Sequence, residues 1–528
     1  MWFPKQFPKF FFLFILFSNS FFFQNKYWIF FTDKKAVTFD PYDYFDSKAI
    51  ERRETQGLPL YDSTDFPVNT NYINAVKQIA DSIGKTTRWF NAIIVYAGEE
   101  EIKKIKRFSF VKTVEAIRYD NTIIASTHYQ TTLTIREDTL LKMQLDRMQG
   151  YKFYKNGFDG KGLRIAIFDA GFPTVTTNPA FEEIRKENRI IKTYDFVANK
   201  EGVDGYDSHG TMVFSCVAGK IGDKRIGLAT GSEFLLARTE YAKREPFSEE
   251  ENWLAAVEWA DKNGVNIINS SLGYTQKRYF PEDMNGKKSL VSRAADMAAR
   301  KGILIINAAG NEADNSWKKI ITPADADSVL TVGGIDPTTG IHIYFSSYGP
   351  SADKRLKPNV CAFGHVVAAG ETKLIAVDGT SFSSPLTAGF AACAWQANRK
   401  LTNMELFHEI ERSGELYPYY DYAHGYGVPQ AGYFTGEKEE KNNEIPFDVL
   451  DIGAAKQVVF KDSVYQKRSN NDWEDYLYYH IENPAGTLDK YYVITVDSKI
   501  PLSFNPADYK QGSKIMLHYH NYTTTINF

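Results

Sequence analysis

Between residues 162 and 434, short apolar segments alternate with longer segments that carry apolar residues at helical spacing. The short segments are apolar almost without interruption, which is typical of parallel strands buried on both faces. They predict strands at 163–168, 265–269, 303–307 and 329–332, with helices at 250–263 and 289–301. This alternation predicts an α/β domain, in which a parallel sheet is flanked by helices and functional groups gather at the carboxyl ends of the strands.

The segment before this domain, residues 24–120, has an α/β pattern of its own. Strands are predicted at 27–31, 92–96 and 111–117, and helices at 72–83 and 99–107. The helix at 72–83 has apolar residues on one face and is followed by Gly84, which can end it. A module of about 100 residues has the size of an ordinary domain. From its pattern alone, an independent binding domain is an open alternative.

The C-terminal segment, residues 445–528, follows a charged linker at 436–443. Its short runs alternate apolar and polar residues with a period of two, at 476–481, 491–496, 514–519 and 523–528. Such alternation, rich in Tyr and Thr, predicts a small antiparallel β domain. Its function is not evident from the sequence, and a stabilising or attachment module is the plainest interpretation.

The N-terminus has the pattern of a secretory signal peptide, which we place at residues 1–23. Lys5 and Lys9 precede an apolar run at 10–17, and small polar residues follow. The run is too short to span a bilayer comfortably, although an uncleaved anchor or a buried strand is an alternative. The pattern predicts a secreted, periplasmic or cell-envelope protein that has no membrane contact after signal cleavage.

Charge and cysteine content exclude several classes of function. The formal net charge of -3 gives no indication of binding to nucleic acid. The three cysteines, Cys216, Cys361 and Cys393, are too scattered for a disulfide framework or a zinc site and predict buried free thiols. The acidic residues form no dedicated ligand loop, so we expect no metal or cofactor, and a structural calcium ion is left open.

Three polar residues stand where such a fold concentrates chemistry. Asp169 follows a predicted strand, His209 begins a small-residue helix, and Ser381 lies in the segment 379–385 before an apolar helix. Each has an ordinary structural interpretation on its own: a turn aspartate, a structural histidine and a helix-capping serine. Free N–H groups and the helix dipole at Ser381 also suit a site where an oxyanion forms.

Taken together, the motifs resemble the subtilisin-like serine proteases, the peptidase S8 family. Asp-x-Gly, His-Gly-Thr and Gly-Thr-Ser-x-x-Ser-Pro occur in the order Asp, His, Ser, which is the order in subtilisin. Further segments in family order are 269–273, 308–312, 345–350, 357–362 and 425–431. The resemblance extends from about residue 144 to 434, just over half of the chain.

The resemblance implies a serine endopeptidase that works through an Asp169–His209–Ser381 triad and an acyl-enzyme intermediate. Asn311 would contribute the side chain of the oxyanion hole. An extended substrate would form main-chain hydrogen bonds along two edges, and a carboxylate would lie at the mouth of the P1 pocket. These residues are Ser271, Leu272, Gly273, Ala308, Ala309, Gly310 and Glu312. The carboxylate would favour P1 Lys or Arg, and the small pocket walls would also admit large apolar P1 groups.

The resemblance also assigns the parts of the chain. Residues 24–120 would be a propeptide that inhibits the enzyme in the same molecule. Residues 121–143 would be an exposed connector that contains the maturation site. Residues 144–435 form a subtilisin-like catalytic domain, followed by the small β domain. Protein or peptide substrates and the propeptide are the expected partners of a monomer. One departure from the family is Ala170, where a hydroxyl residue is usual, and a catalytically silent peptide-binding relative is the alternative.

Overall fold

The computed structural model describes residues 25–117, 135–241, 246–275, 278–437, 445–461, 476–496 and 501–528. The predicted signal peptide, residues 121–134 of the predicted connector and residues 438–443 of the predicted linker lie outside these ranges. Among the described helices, none is long and apolar enough to cross a membrane.

A central sheet of eight described strands forms the middle layer of the large domain. The strands are β5 (Arg164–Asp169), β6 (Ile190–Asp195), β7 (Lys200–Glu201), β10 (Glu233–Arg238), β11 (Ile267–Ser270), β12 (Leu304–Ala308), β13 (Val329–Ile335) and β14 (Val360–Phe363). Their order is β14-β13-β12-β11-β5-β10-β6-β7, and all neighbours are parallel except the short β7 at the edge. The predicted parallel α/β fold is confirmed.

Helices cover both faces of this sheet. They are α5 (Glu137–Asp146), α6 (Gly150–Lys155), α7 (Glu182–Lys186), α8 (His209–Ala218), α9 (Ser248–Lys262), α10 (Leu290–Arg300), α11 (Thr380–Ala397), α12 (Asn403–Arg412) and α13 (Ala431–Thr435). Alternate residues of β5 face opposite layers: Ile165 and Ile167 pack with α8 and α11, whereas Ala166 and Phe168 pack with α9 and α10. Two hairpins complete the domain: β8 (Lys220–Ile221) with β9 (Lys224–Arg225), and β15 (His365–Ala369) with β16 (Leu374–Asp378).

The N-terminal module is a four-stranded antiparallel sheet packed against helices. Its strands are β1 (Asn25–Phe31), β2 (Ser82–Thr87), β3 (Ala92–Ala97) and β4 (Val111–Ile117), and its helices are α1 (Pro41–Tyr44), α2 (Ser47–Thr55), α3 (Thr70–Lys77) and α4 (Glu99–Ile105). The order of the strands in the sheet is β2-β3-β1-β4.

The prediction of one helix over 72–83 is wrong at its C-terminal end. The helix ends at Lys77, and Ser82–Thr87 form a strand in which Ile83 lies opposite Val95. Pairing of the main chain with β3 therefore outweighs the helical spacing of the apolar residues, which a local pattern cannot reveal.

The large domain begins earlier than the predicted residue 144. Helix α5 starts at Glu137, and Leu140 and Leu141 are buried in the core of the large domain. Residues 137–143 therefore belong to that domain and not to an exposed connector, because their apolar side chains pack against it.

The C-terminal domain is antiparallel, as predicted. One sheet has the order β17-β18-β21 and the other β20-β19-β22-β23. The strands are β17 (Phe447–Ile452), β18 (Ala455–Phe460), β19 (Tyr476–Glu482), β20 (Leu488–Thr495), β21 (Leu502–Phe504), β22 (Lys514–Tyr519) and β23 (Tyr522–Asn527). Tyr478 of β19 packs with Leu416 and Tyr419 of the large domain, so the two domains share an apolar contact.

Candidate active site

The candidate residues converge at the carboxyl ends of three neighbouring strands. Asp169 is the last residue of β5, Ser271 directly follows β11, and Asn311 comes shortly after β12. These strands are adjacent in the sheet, in the order β12-β11-β5. The parallel arrangement therefore brings distant parts of the sequence to one edge, as expected for this fold class.

Asp169 and His209 are directly hydrogen-bonded. The Asp169 carboxylate is fully buried, and its Oδ1 lies 2.8 Å from Nδ1 of His209, the first residue of α8. The main-chain N–H of His209 donates to Oδ1 of Asp207 at 2.9 Å, which fixes the start of the helix. A carboxylate at Nδ1 favours the tautomer that carries its proton there and leaves Nε2 as the basic atom.

The two carboxylate oxygens of Asp169 differ in their hydrogen bonding. Oδ2 is buried and has no hydrogen-bond partner among the described residues. The main-chain N–H of Ala170 donates to Oδ1 at 2.8 Å, but its methyl side chain can offer nothing to Oδ2. The absence of a hydroxyl at residue 170, noted from the sequence, thus coincides with an unpaired oxygen on the carboxylate.

The pKa of His209 lies above its ordinary value of 6.5. Burial of the ring lowers this pKa, but the charge of Asp169, its hydrogen bond to the ring and the charge of Asp207 together outweigh burial. The side chain is still 14% exposed, so the ring forms part of an open surface.

Ser381 is the second residue of α11, at the edge of the same site. Gly379 precedes the helix with a φ of 139°, a conformation that favours glycine. The Ser381 hydroxyl donates to the carbonyl of Ser271 at 3.3 Å, and the Ser271 hydroxyl donates to the carbonyl of Ser381 at 2.7 Å. The ring of Phe382 lies 5.4 Å from that of His209, centroid to centroid, so the start of α11 lies beside the histidine.

Asn311 is held beside the serine by Thr380. Its side-chain oxygen accepts both the main-chain N–H and the hydroxyl of Thr380, each at 2.9 Å. Nδ2 of Asn311 lies 3.4 Å from the position that a Cβ on Gly379 would occupy. The residue is exposed. The amide nitrogen is therefore the group of Asn311 that remains available next to Ser381.

The two predicted substrate-lining segments differ in what they offer. In the described part of the chain, the N–H groups of Leu272 and Gly273 and the Gly273 carbonyl take no hydrogen bond, so this segment has a free main-chain edge. Ala309, by contrast, donates to Val332 and accepts from Ile321, and Gly310 donates to the Thr380 hydroxyl and accepts from Ser347. The main-chain groups of Ala309 and Gly310 are therefore already hydrogen-bonded, and pairing of this segment with a substrate main chain stays a prediction.

A family model decides the classification. The model of the subtilase family, peptidase S8, matches residues 160–427, just over half of the chain. The chain belongs to the subtilase family of serine endopeptidases. The peptidase S8 propeptide domain of Bacteroidota matches residues 26–132, so the N-terminal module of this subtilase is a propeptide domain and not an unrelated binding domain.

Individual relatives are distant. The thermostable alkaline protease of Halalkalibacterium halodurans is 25% identical over 320 residues, covering 60% of this chain and 75% of that protein. Subtilisin DY of Bacillus licheniformis is 28% identical over 255 residues, covering 48% of this chain and 81% of that protein. Among solved structures, MycP1 from Mycobacterium smegmatis aligns with a TM-score of 0.46 at 20% identity, over 63% of this chain and 94% of that chain.

One residue of this subtilase that the sequence did not point to is Ile321. A Cβ added to Gly273 would overlap the Ile321 side chain, and one added to Gly310 would lie 2.8 Å from its Cγ2. Ile321 is 7% exposed and packs with Met284 and Trp317. The Ile321 side chain thus lies between the two segments that the sequence assigns to the P1 pocket. No local pattern distinguishes Ile321 from any core isoleucine.

The Glu312 carboxylate already has a hydrogen-bond partner in its own turn. The main-chain N–H of Glu312 donates to the Ser347 hydroxyl at 3.1 Å, and the carboxylate accepts from the Asn315 side chain at 2.5 Å. Burial raises the pKa of the Glu312 carboxyl, the bond from Asn315 lowers it, and the charge of Asp314 raises it further. A carboxylate with a partner and a raised pKa is a weaker attraction for a P1 cation than the sequence implies, and its contact with substrate stays a prediction.

Proposed function

We propose that this subtilase is a secreted endopeptidase that cleaves protein substrates through Asp169, His209 and Ser381. The observation that carries the proposal is the 2.8 Å hydrogen bond from Asp169 to Nδ1 of His209, with Ser381 at the adjacent helix start. A histidine held this way is an oriented base, and a serine hydroxyl is a poor nucleophile until such a base takes its proton.

The reaction proceeds in two halves. The Ser381 hydroxyl gives up its hydrogen bond to the Ser271 carbonyl. Its oxygen attacks the scissile carbonyl carbon, and Nε2 of His209 takes the hydroxyl proton. The C–N bond then breaks as His209 returns that proton to the departing amine, which leaves an acyl group on Ser381. Water, deprotonated by the same nitrogen, attacks the ester carbon. The C–O bond to Ser381 then breaks as His209 returns the proton to the serine oxygen, which releases the acid and restores the free enzyme. No cofactor takes part in these steps.

Two donors would stabilise the negative oxygen that forms on the way. One is Nδ2 of Asn311, because both Thr380 donors occupy the other end of its amide. The second is the main-chain N–H of Ser381, which lies in the first turn of α11 and has no hydrogen-bond partner among the described residues. Because these donors are already in place before the reaction, they need not reorganise when charge develops. Electrostatic stabilisation of the transition state by such donors is therefore usually large.

Substrate would lie in extended form along the free edge of Leu272 and Gly273. Main-chain hydrogen bonds from an added strand give affinity with little dependence on sequence. Selectivity would come from the space beside Ser381, and because Ile321 fills it, we infer a preference for small P1 side chains.

We also propose the cellular setting expected from the sequence. The propeptide acts as an intramolecular inhibitor and is removed through a cut between the two domains, and the mature monomer works outside the cytoplasm or in the cell envelope. Support comes from the match of residues 26–132 to a propeptide domain and from the signal-like N-terminus.

Hydrolysis of an unfolded protein by wild type and by Ser381→Ala tests the proposal. Wild type should generate internal cleavages, and the variant should generate none while still unfolding cooperatively. Binding of peptides without cleavage by the mature wild type would instead identify a catalytically silent relative.

A further inference from the structure

A segment of the propeptide leaves its own sheet and lies on the catalytic domain far from the cleft. It runs between β1 and α3 and contains α1 and α2. The Asp46 N–H donates to the Lys262 carbonyl at 2.9 Å, and the Gln56 side chain donates to the Gly302 carbonyl at 2.8 Å and accepts from the Asn403 N–H at 3.0 Å. These contacts lie where strands β11 and β12 begin, whereas the candidate active site lies where they end.

The separation follows from the length of the strands. Val265 precedes β11 and Ser271 follows it, and six residues of strand at about 3.3 Å each span about 20 Å. A contact at Val265 therefore cannot be part of the cleft that holds substrate.

Arg52 of α2 is seated in a set of three acceptors at this far edge. Its side chain is 1% exposed. Nη1 donates to the Val265 carbonyl at 2.5 Å, Nε donates to the Lys301 carbonyl at 3.1 Å, and Nη2 donates to the Asp261 carboxylate. The acceptors come from the end of α9 and from the approaches to β11 and β12, and together they match the planar fork of a guanidinium group.

The neighbouring Arg53 extends the site into a buried charge network. Its Nη2 donates to Oδ2 of Asp261 at 2.9 Å, its guanidinium also contacts Asp65 at 3.3 Å, and Nζ of Lys301 lies 2.8 Å from Oδ1 of Asp65. The Arg53 guanidinium lies 4.0 Å from the centre of the Phe45 ring. Because a buried charge is costly unless it is paired, each of these groups depends on the others.

We propose that Asp261, with the carbonyls of Val265 and Lys301, forms a guanidinium-binding exosite on the catalytic domain, and that Arg52 of the propeptide is its occupant. The exosite holds the propeptide independently of the cleft. A cut anywhere between residues 118 and 134 leaves every one of these contacts in place, so the severed propeptide stays held at the exosite, which keeps the rest of the propeptide at high effective concentration next to the catalytic domain.

Binding at the exosite can be measured without catalysis. In the full chain with Ser381→Ala, a recognition sequence for an unrelated site-specific protease is placed within residues 121–134 and cut after purification. The rate at which the N-terminal fragment leaves on dilution is then followed by size-exclusion chromatography. Arg52→Lys and Asp261→Asn are compared with Lys103→Gln, which breaks an exposed 2.7 Å pair with Glu100 inside the propeptide.

We expect the N-terminal fragment to be released at least tenfold faster in Arg52→Lys and in Asp261→Asn. Arg52→Lys keeps the positive charge but loses the planar guanidinium group. Lys103→Gln should stay within twofold of the parent. All proteins are folded and uncut at the start, and cooperative melting before the cut checks this. Release of the Arg52→Lys fragment at the parental rate would overturn the exosite.

The effect on latency rests on the proposed function, and a second arm separates the two. With Ser381 intact, Arg52→Lys should shorten the lag between the first cut and the appearance of peptidase activity. Faster release with an unchanged lag would support the exosite and contradict inhibition by the propeptide. If the Arg52→Lys fragment is released at the parental rate and the enzyme is active, the exosite proposal is wrong and the proposed function still holds.

Discussion

Nδ1 of His209 lies 2.8 Å from Oδ1 of Asp169, across forty positions of the sequence. The aspartate is fully buried at the end of a central strand, whereas the histidine starts a helix and is partly exposed. A fixed negative charge behind a solvent-facing imidazole is the arrangement that raises the pKa of the ring and selects its reactive tautomer.

The pH dependence of kcat/KM should report this pair. His209 acts as a base only when neutral, and its pKa is raised above 6.5, so activity should fall as the pH drops through an apparent pKa above that value. Asp169→Asn removes the charge that raises the pKa and should move the acid limb to lower pH. It should also lower kcat by about 10⁴-fold, because an amide that donates to Nδ1 favours the tautomer in which Nε2 carries the proton and cannot act as the base.

Rates measured from pH 5 to pH 9 with one peptide substrate check this, with Asp207→Asn as the matched variant, since that carboxylate affects the ring only by its charge and through the helix start. An acid limb that stays in place in Asp169→Asn would show that another group titrates.

Asn311→Ala should lower kcat by about 10²–10³ with little change in KM, a magnitude taken from subtilisin. The reason is that its amide nitrogen binds the oxygen only once negative charge develops there. Steady-state kinetics on a peptide substrate measure the effect, and Asn315→Ala, in the same turn, serves as control. A rise in KM at constant kcat would make Asn311 a binder of the ground state.

Ile321→Ala should widen the choice of P1 residue. The wild type should prefer Ala over Phe at P1, because the Ile321 side chain occupies the space between Gly273 and Gly310. Removing it should raise the Phe/Ala ratio of kcat/KM by about 10-fold or more, as expected for a pocket that gains room for an apolar group.

Paired peptides that differ only at P1 measure this ratio. Ile320→Ala takes the same atoms from the adjacent buried residue and should leave the ratio unchanged. Equal ratios in wild type and Ile321→Ala would place the P1 side chain elsewhere.

The sequence predicts the fold class and the four residues that the structure brings together at the candidate site, for two different reasons. Parallel strands buried on both faces give long apolar runs, so β5, β11, β12 and β13 were visible in the pattern. Specific short motifs identify the four site residues, which are Asp169, His209, Asn311 and Ser381. Their residue types alone would not distinguish them from structural residues.

The remaining features depend on contacts between distant parts of the chain. Ile321 looks like any core residue until Gly273 and Gly310 are placed on either side of it. The main-chain groups of Ala309 were expected to be free, but Val332 and Ile321 satisfy them. The strand at Ser82–Thr87 exists because β3 pairs with it, and Arg52 reveals a binding site only once Asp261, Val265 and Lys301 surround it.

Maturation should depend on Ser381 in the same molecule. Wild type should appear as a shorter mature form, and Ser381→Ala should remain joined to its propeptide in a host that lacks other proteases. Dilution should not slow the first cut, because an intramolecular step does not depend on concentration. Intact-mass measurements after purification follow both forms. Normal processing of Ser381→Ala would show that the connector is cut by another enzyme.

The most direct measurement is covalent labelling with a fluorophosphonate, followed by peptide mass mapping, after the propeptide of every protein has been cut at an inserted protease site within residues 121–134 and removed. Wild type should take up one label, on Ser381, at a rate that follows the same acid limb as kcat/KM. His209→Ala should react far more slowly, and Ser381→Ala should not react. Labelling of another residue, or of Ser381 at an equal rate in His209→Ala, would contradict an activated serine at this site.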